Sequence, residues 1–153
     1  MRLNRRNMLA FGAAIPALVL AGNASWAQSE PSFYAERGVA IDGTDPVAYF
    51  TEGKPVAGDP ALTHEWMGST WRFASAENRD RFVANPAAYA PQYGGYCAWA
   101  VSRGYTASTV PEAWEIVEGK LYLNYSLRVK KHWSQDIPGN IARGDANWPD
   151  VLG

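Results

Sequence analysis

The single cysteine of the chain, Cys97, is the residue best suited to chemistry. It follows Gly94-Gly95-Tyr96 at the start of a helix predicted over residues 96–102, where free N–H groups and the helix dipole favour a thiolate. A thiolate is a soft ligand that selects copper(I) or zinc. A lone thiol forms no internal disulfide, so three interpretations stay open: a metal or redox site, a small buried apolar residue, or a disulfide with another molecule.

Three side chains offer to complete a metal site around Cys97: His64, Met67 and His132. We expect a small mononuclear site, with copper as the proposed metal, built from Cys97 and His64. The alternative for His64 is an ordinary histidine on an apolar hairpin face, because no His-x-His or His-x-x-x-His spacing accompanies it. His132 belongs to the basic segment 128–132 and is expected to face solvent, while Met67 adjoins a predicted turn.

Local motifs of common enzyme classes are missing from the sequence. It has no Gly-x-Ser-x-Gly, no phosphate-binding loop and no His-Glu-x-x-His. A dyad of Cys97 with a histidine is open in principle, but no local signature supports it. Asp45 is expected to cap a helix and nothing more. We therefore assign no catalytic residue, and an enzyme is the least supported class of function.

The first 27 residues have the pattern of an export signal. Arg5 and Arg6 precede an apolar run over residues 8–21, and the small-residue exit Ser25-Trp26-Ala27 predicts cleavage after Ala27. The run is too short for a membrane helix. Paired arginines followed by apolar residues indicate the twin-arginine translocation machinery, and hence a periplasmic protein. The alternative is an ordinary Sec signal that happens to carry two arginines.

Removal of this segment leaves one domain of ordinary size, residues 28–153. The segment contains three arginines and no acidic residue, so the net charge moves from −1 for the whole chain to −4. A mildly acidic domain has no basic footprint for nucleic acid, and no second apolar span predicts a membrane anchor. Seven tryptophans and eight tyrosines are expected to serve mainly in core packing.

Hairpins and short helices alternate along the chain, which predicts an α+β fold. Residues 28–38 are expected to form a flexible N-terminus, and residues 39–153 the domain. A hairpin over 62–74 with Gly68-Ser69 as its turn pairs Trp66 with Trp71, His64 with Phe73 and Glu65 with Arg72. A hairpin over 114–125 turns at Glu118-Gly119 and pairs Trp114 with Leu123 and Ile116 with Leu121.

Helix-capping residues place the helices. Asp45-Pro46 predicts a short first helix, and Ser75 caps a second helix that turns Phe82 and Val83 inward. A helical turn begins at Pro86. Ser126 caps a helix that is expected to stop at Pro138-Gly139, before a short helix or tail over 141–148.

Two segments resemble the YHS domain, a small module known from several protein families. The run DPVAYF at 45–50 and the run EWMGSTWRFASAENRDRFVANPAAY at 65–89 are similar to it, and the second ends in its Phe-x-x-x-Pro-x-x-Tyr pattern with Phe82, Pro86 and Tyr89. Residues 89–126 resemble the C-terminal extension of exported bacterial members, which often carry a twin-arginine signal. The resemblance covers nearly all of residues 28–153.

The resemblance implies a link to heavy-metal and copper transport, since YHS modules accompany such proteins and some oxygenase components. The metal-associated members carry three cysteines, and at those positions this sequence has Ala48, Ala74 and Asn78. Their cysteine metal site is therefore not carried over to this chain.

Two hypotheses for function follow. The first is a soluble periplasmic YHS-domain protein that binds a soft metal through Cys97. The second is an accessory module without metal that binds a partner protein or a small ligand on its aromatic-rich surface. The sequence identifies neither ligand nor partner protein.

Overall fold

The computed structural model describes residues 31–153 and has an α+β architecture, as the sequence predicts. Arg5, Arg6 and the predicted cleavage site at Ala27 lie outside the described residues. The strands are β1 (Ala35–Glu36), β2 (Val39–Ala40), β3 (Asp59–Trp66), β4 (Ser69–Phe73), β5 (Trp114–Val117) and β6 (Lys120–Leu123). The helices are α1 (Ala48–Thr51), α2 (Ala76–Ala84), α3 (Pro86–Tyr89), α4 (Ala98–Ser102), α5 (Leu127–Trp133) and α6 (Ile137–Asn147).

The strands form a four-stranded sheet in the order β1-β2-β4-β3 and a separate hairpin of β5 and β6. Pairing is antiparallel except between β2 and β4, where Val39 lies beside Thr70 in a parallel contact that the sequence does not predict. Among the described residues no helix is long and apolar enough to cross a bilayer.

The first hairpin turns one residue earlier than predicted. Met67 and Gly68 occupy the turn with φ values of 51° and 78°, so both adopt the left-handed conformation that a type I′ turn requires. His64 therefore pairs with Trp71 rather than Phe73, and Glu65 with Thr70 rather than Arg72. The predicted pairing of Glu65 with Arg72 is wrong.

The face of that hairpin is nevertheless as predicted. The pairing has slipped by two residues, an even number, so each side chain stays on the side that the alternation assigned to it. Trp71 and Phe73 are fully buried on this face, and Trp66 is half-buried beside them. The second hairpin has the predicted register, with Trp114 opposite Leu123.

Two apolar clusters form the core, and β6 lies between them. Leu121 and Leu123 enter the cluster of Trp71, Phe73 and Phe82, whereas Tyr122 points into a second cluster with α6. Alternating side chains of one strand thus serve both clusters, which requires β6 to be covered on both faces. Most tryptophan and tyrosine side chains of residues 31–153 belong to these two clusters or pack against them.

Helices α2, α4 and α6 each differ from the prediction in one respect. Val83 is 47% exposed, because on α2 only Phe82 is buried. Pro138 does not stop a helix; it lies in the first turn of α6, whose N-terminus is capped by the Asp136 carboxylate through the N–H of Gly139. α4 begins at Ala98 rather than at Tyr96.

The segment expected to form a flexible N-terminus is packed over its described part, residues 31–38. Phe33 belongs to the first cluster, and the N–H of Tyr34 donates to the carbonyl of Gly94. Gly94 has a φ of 62°, and a Cβ there would collide with the carbonyl of Ser32. Glycine at position 94 therefore allows this segment to lie directly on the loop that leads to Cys97.

Candidate functional site

Cys97 lies at the N-terminal end of α4, immediately after a loop of left-handed residues. Tyr93, Gly94 and Gly95 have φ values of 55°, 62° and 79°. A Cβ on Gly95 would lie 2.6 Å from the Ile41 side chain, so the close approach of this loop to the core requires glycine. The loop delivers Cys97 to the interior, where it is 1% exposed.

The thiol of Cys97 is enclosed by the segment that follows β6. Its Sγ lies 3.5 Å from Oδ1 of Asn124, and the N–H of Tyr125 donates to Sγ over 3.3 Å. The same Oδ1 accepts the N–H of Trp99 at 3.0 Å, which identifies it as the amide oxygen. Facing an acceptor, the thiol is the donor in the contact with Asn124 and is protonated.

Burial raises the pKa of the Cys97 thiol, because removal from water penalises the charged form. The backbone N–H groups of Ala100, Tyr125 and Trp99 act in the opposite direction but are the smaller effect. The expectation of a thiolate stabilised at a helix N-terminus is therefore wrong for this geometry. Sequence alone does not show it, since the enclosing residues lie 27 and 28 positions further along the chain.

A small apolar cavity opens beside this thiol. Its volume is about 230 Å³, and it is lined by Cys97, Trp99, Ala100, Tyr105, Ala107, Tyr125 and Val129. Tyr105 and Tyr125 are 51% and 54% exposed, so two aromatic rings frame the opening. The thiol, although shielded from bulk water, contributes to the lining.

Exposed apolar side chains occur on the two segments that contribute Tyr105 and Tyr125 to the cavity. Within residues 31–153 six large apolar side chains are more than a third exposed, and four of them lie on the two segments that frame the opening. These four are Tyr105, Val110, Tyr125 and Leu127. Exposed apolar residues gathered in one place mark binding surfaces more often than scattered ones do.

A basic rim borders the same surface. The Arg103 guanidinium lies 4.1 Å from the centre of the Trp99 ring, and the His132 ring lies 6.0 Å from it. His132 is exposed, as predicted. Its ring lies beside that of Trp99, which lines the cavity. His132 is not among the residues that line the cavity.

The structure does not bring the other predicted ligands to Cys97. His64 is half-buried on β3, and its ring lies 6.3 Å from that of Phe82 in the first cluster. Met67 is 60% exposed at the hairpin turn. No histidine or methionine lines the cavity beside Cys97, and over residues 31–153 no group of three or more His, Cys, Asp or Glu side chains is arranged to hold a metal ion.

Asn124 is a site residue that no local sequence motif predicts. Its side chain is fully buried. Oδ1 accepts hydrogen bonds from the Trp99 N–H and the Cys97 thiol. Nδ2 has no hydrogen-bond partner in the structure. The signal available in the sequence is a lone amide directly after the apolar strand β6. Only the fold shows that this amide lies against the thiol.

Asp45 has a larger structural role than the predicted helix cap. It is completely buried, and its carboxylate accepts four N–H groups. Oδ1 accepts from Val47 at 2.8 Å and Ala48 at 3.3 Å, and Oδ2 accepts from the backbone of Ala74 and the side chain of Asn78, both at 2.8 Å. Asp45 therefore ties the start of α1 to the junction of β4 and α2.

Comparison with known proteins identifies no relative: no family model, no curated protein and no solved structure matches the chain.

Proposed function

We propose that this protein is a binding module whose ligand site is the apolar cavity beside Cys97. The observation that carries the proposal is the 230 Å³ cavity framed by two half-exposed tyrosines, in a domain that buries most of its aromatic rings. Filling the cavity would cover aromatic surface now in contact with water, which favours binding by about 25 cal/mol for each Å² of apolar area removed from solvent.

The occupant is expected to be small, apolar and uncharged. An apolar cavity of about 150 Å³ is known to bind benzene, so about 230 Å³ admits one aromatic ring or a short aliphatic group. The lining offers no charged side chain to neutralise an ion. The protonated thiol adds a polarisable contact at low desolvation cost.

Toluene and indole serve as probes for this site, with binding followed by the NMR shift of the Trp99 indole N–H. Ala107→Leu and Val129→Phe fill the cavity from two walls and should abolish the shift, whereas Ala142→Leu on the exposed side of α6 should leave it unchanged. An unshifted Trp99 signal in the wild type, or equal binding by the filled variants, would exclude the proposal.

The chain is further proposed to be an exported member of the YHS-type modules that it resembles. Asp45 supports this proposal, because Ala48, Ala74 and Asn78 all donate to its carboxylate. The three positions at which metal-associated members carry cysteine thus converge on one point. A triple variant with Ala48→Cys, Ala74→Cys and Asn78→Cys should bind zinc or copper(I). The same triple variant with Asp59→Asn added is the control and should bind the metal equally well. Failure of the triple variant to bind metal would count against membership of the family.

Export through the twin-arginine machinery remains part of the proposal. Replacing Arg5 and Arg6 with lysine should leave the uncleaved precursor in the cytoplasm of a bacterial host, because the machinery reads the paired arginines. A protein that still reaches the periplasm after this change uses the Sec route instead. Fractionation followed by mass measurement of the N-terminus gives both answers.

Soft-metal binding through Cys97, without His64, is the second candidate function, because His64 lies beside Phe82 and not beside the thiol. One observation favours it: Sγ lines a cavity rather than being sealed on every side. Protein purified after export should then contain copper, which Cys97→Ser should remove and His64→Ala should leave in place. Copper that persists in Cys97→Ser would exclude the thiol as a metal ligand.

A further inference from the structure

A second cavity, with a volume of about 660 Å³, lies away from Cys97. It forms where five segments meet: residues 32–33, the turn at Trp66-Met67, residues 87–94, Lys120 at the second hairpin turn, and residues 145–152. This volume is in the range of cavities that hold small-molecule ligands. None of its residues lines the cavity beside Cys97.

Aromatic rings form two of its walls. Phe33 and Trp66 lie with ring centres 5.2 Å apart, and Tyr93 and Trp148 lie 6.1 Å apart. Each ring is held by a neighbour at ordinary aromatic packing distance, so the walls are fixed before a ligand arrives.

Tyr93 and Asp145 place a polar pair in the cavity wall. The Tyr93 hydroxyl donates to Oδ1 of Asp145 at 2.8 Å and lies 3.2 Å from the carbonyl of Ile141. A Cβ on Gly144 would lie 2.5 Å from this hydroxyl oxygen, so the contact requires glycine at that position. Tyr93 also has a left-handed backbone, which is strained for a residue with a side chain.

Lys120 brings the opposite charge to the same cavity. Of the residues that line it, Lys120 and Asp145 are the charged ones. Neither forms an ion pair with another side chain within residues 31–153. The hydroxyl of Tyr93 orients the Asp145 carboxylate, which leaves the second oxygen free to accept.

We propose that this cavity binds a zwitterionic small molecule of the amino-acid class that carries an aromatic side chain. Its ammonium group is recognised by Asp145, its carboxylate by Lys120, and its ring by the walls of Trp66 and Trp148. A ligand with one charge would satisfy one of the two side chains and leave the other unpaired. An uncharged ligand would satisfy neither.

Titration calorimetry of the full-length protein with L-phenylalanine and two analogues tests the proposal. The analogue 3-phenylpropanoate lacks the ammonium group and phenethylamine lacks the carboxylate, and each should bind about tenfold or more weakly than L-phenylalanine, as expected for loss of one charge-assisted hydrogen bond. L-Tryptophan should bind in the same way as L-phenylalanine.

Two variants test whether Asp145 recognises the ammonium group of the ligand and Lys120 its carboxylate. Asp145→Asn should weaken L-phenylalanine about tenfold and leave 3-phenylpropanoate unchanged, and Lys120→Gln should weaken L-phenylalanine equally and leave phenethylamine unchanged. Asp80→Asn and Lys131→Gln, which alter exposed charges outside the cavity, should have no effect. The proposal is overturned if neither amino acid binds at millimolar concentration, or if both analogues bind as well as L-phenylalanine.

Discussion

The Sγ of Cys97 and the Oδ1 of Asn124 lie 3.5 Å apart, a contact in which the buried thiol is the donor. Because Oδ1 also accepts the N–H of Trp99, it is an acceptor toward Cys97 as well. The thiol is therefore held as a neutral donor at the edge of an apolar cavity. That state suits the binding of an uncharged ligand and disfavours nucleophilic attack.

Replacing Asn124 with alanine should destabilise the fold. The substitution removes the acceptor of the Trp99 N–H and of the Cys97 thiol, and leaving a buried donor unpaired costs about 1–3 kcal/mol. Urea unfolding measures the change. Asn85→Ala, at an exposed position, is the matched control and should change the free energy of unfolding by less than about 0.5 kcal/mol. Equal effects of the two substitutions would argue against the contact.

Stability should fall as pH rises through the range in which a free thiol ionises. The folded-state pKa of Cys97 is raised, so the unfolded chain loses its proton first and the unfolded state gains relative stability above its own pKa. The contribution is complete below the unfolded pKa and is lost as pH approaches the folded value. Unfolding measured between about pH 7.5 and about pH 9.5 should show this slope in the wild type and a flatter one in Cys97→Ala. Equal slopes in the wild type and in Cys97→Ala would contradict a raised pKa of the Cys97 thiol in the folded protein.

Sequence patterns predicted the faces of the first hairpin but not its register. Gly68 suits the first central position of one turn type and the second of another, so the sequence admits Gly68-Ser69 or Met67-Gly68. The two registers differ by a shift of two residues. Because side chains alternate with a period of two, the sequence pattern does not distinguish them. Three-dimensional packing of Trp66 and Trp71 against Phe82 selects the second.

The site was less predictable than the fold for a related reason. Signals such as Ser75 and Ser126 act within four residues, and the structure confirms both as helix caps. The thiolate expected at Cys97 rests on equally local signals, namely a glycine pair and a helix start. Its actual state depends on Asn124 and Tyr125, which reach it only after the second hairpin has folded. No local pattern carries that information.

The Met67-Gly68 turn should be improved by substitution of its first residue. Met67 has a φ of 51° and is 60% exposed, so its backbone is strained and little of its side chain is buried in return. Met67→Asn creates the Asn-Gly pair that type I′ turns prefer and should stabilise the protein by about 0.5–1 kcal/mol. Met67→Val, a β-branched residue at the same φ, should destabilise it. Thermal melts of the two variants in opposite directions from the wild type are the expected result.

Asp45 should prove one of the least replaceable polar residues of the domain. Asp45→Ala removes a completely buried acceptor from the N–H groups of Val47, Ala74 and Asn78, of which Val47 is itself fully buried, and a loss of about 3 kcal/mol in the free energy of unfolding is expected.

Asp45→Asn should recover only part of this loss. An amide keeps one acceptor oxygen but turns an NH₂ group toward N–H donors, where two donors meet with no acceptor between them. Asp59→Asn provides the control, because Asp59 is an exposed aspartate that accepts the N–H of Ala61 at 2.8 Å and can do so as an amide. Chemical unfolding should therefore rank the wild type and Asp59→Asn together, then Asp45→Asn, then Asp45→Ala. An Asp45→Asn protein as stable as the wild type would show that the carboxylate accepts fewer N–H groups in solution than the four described.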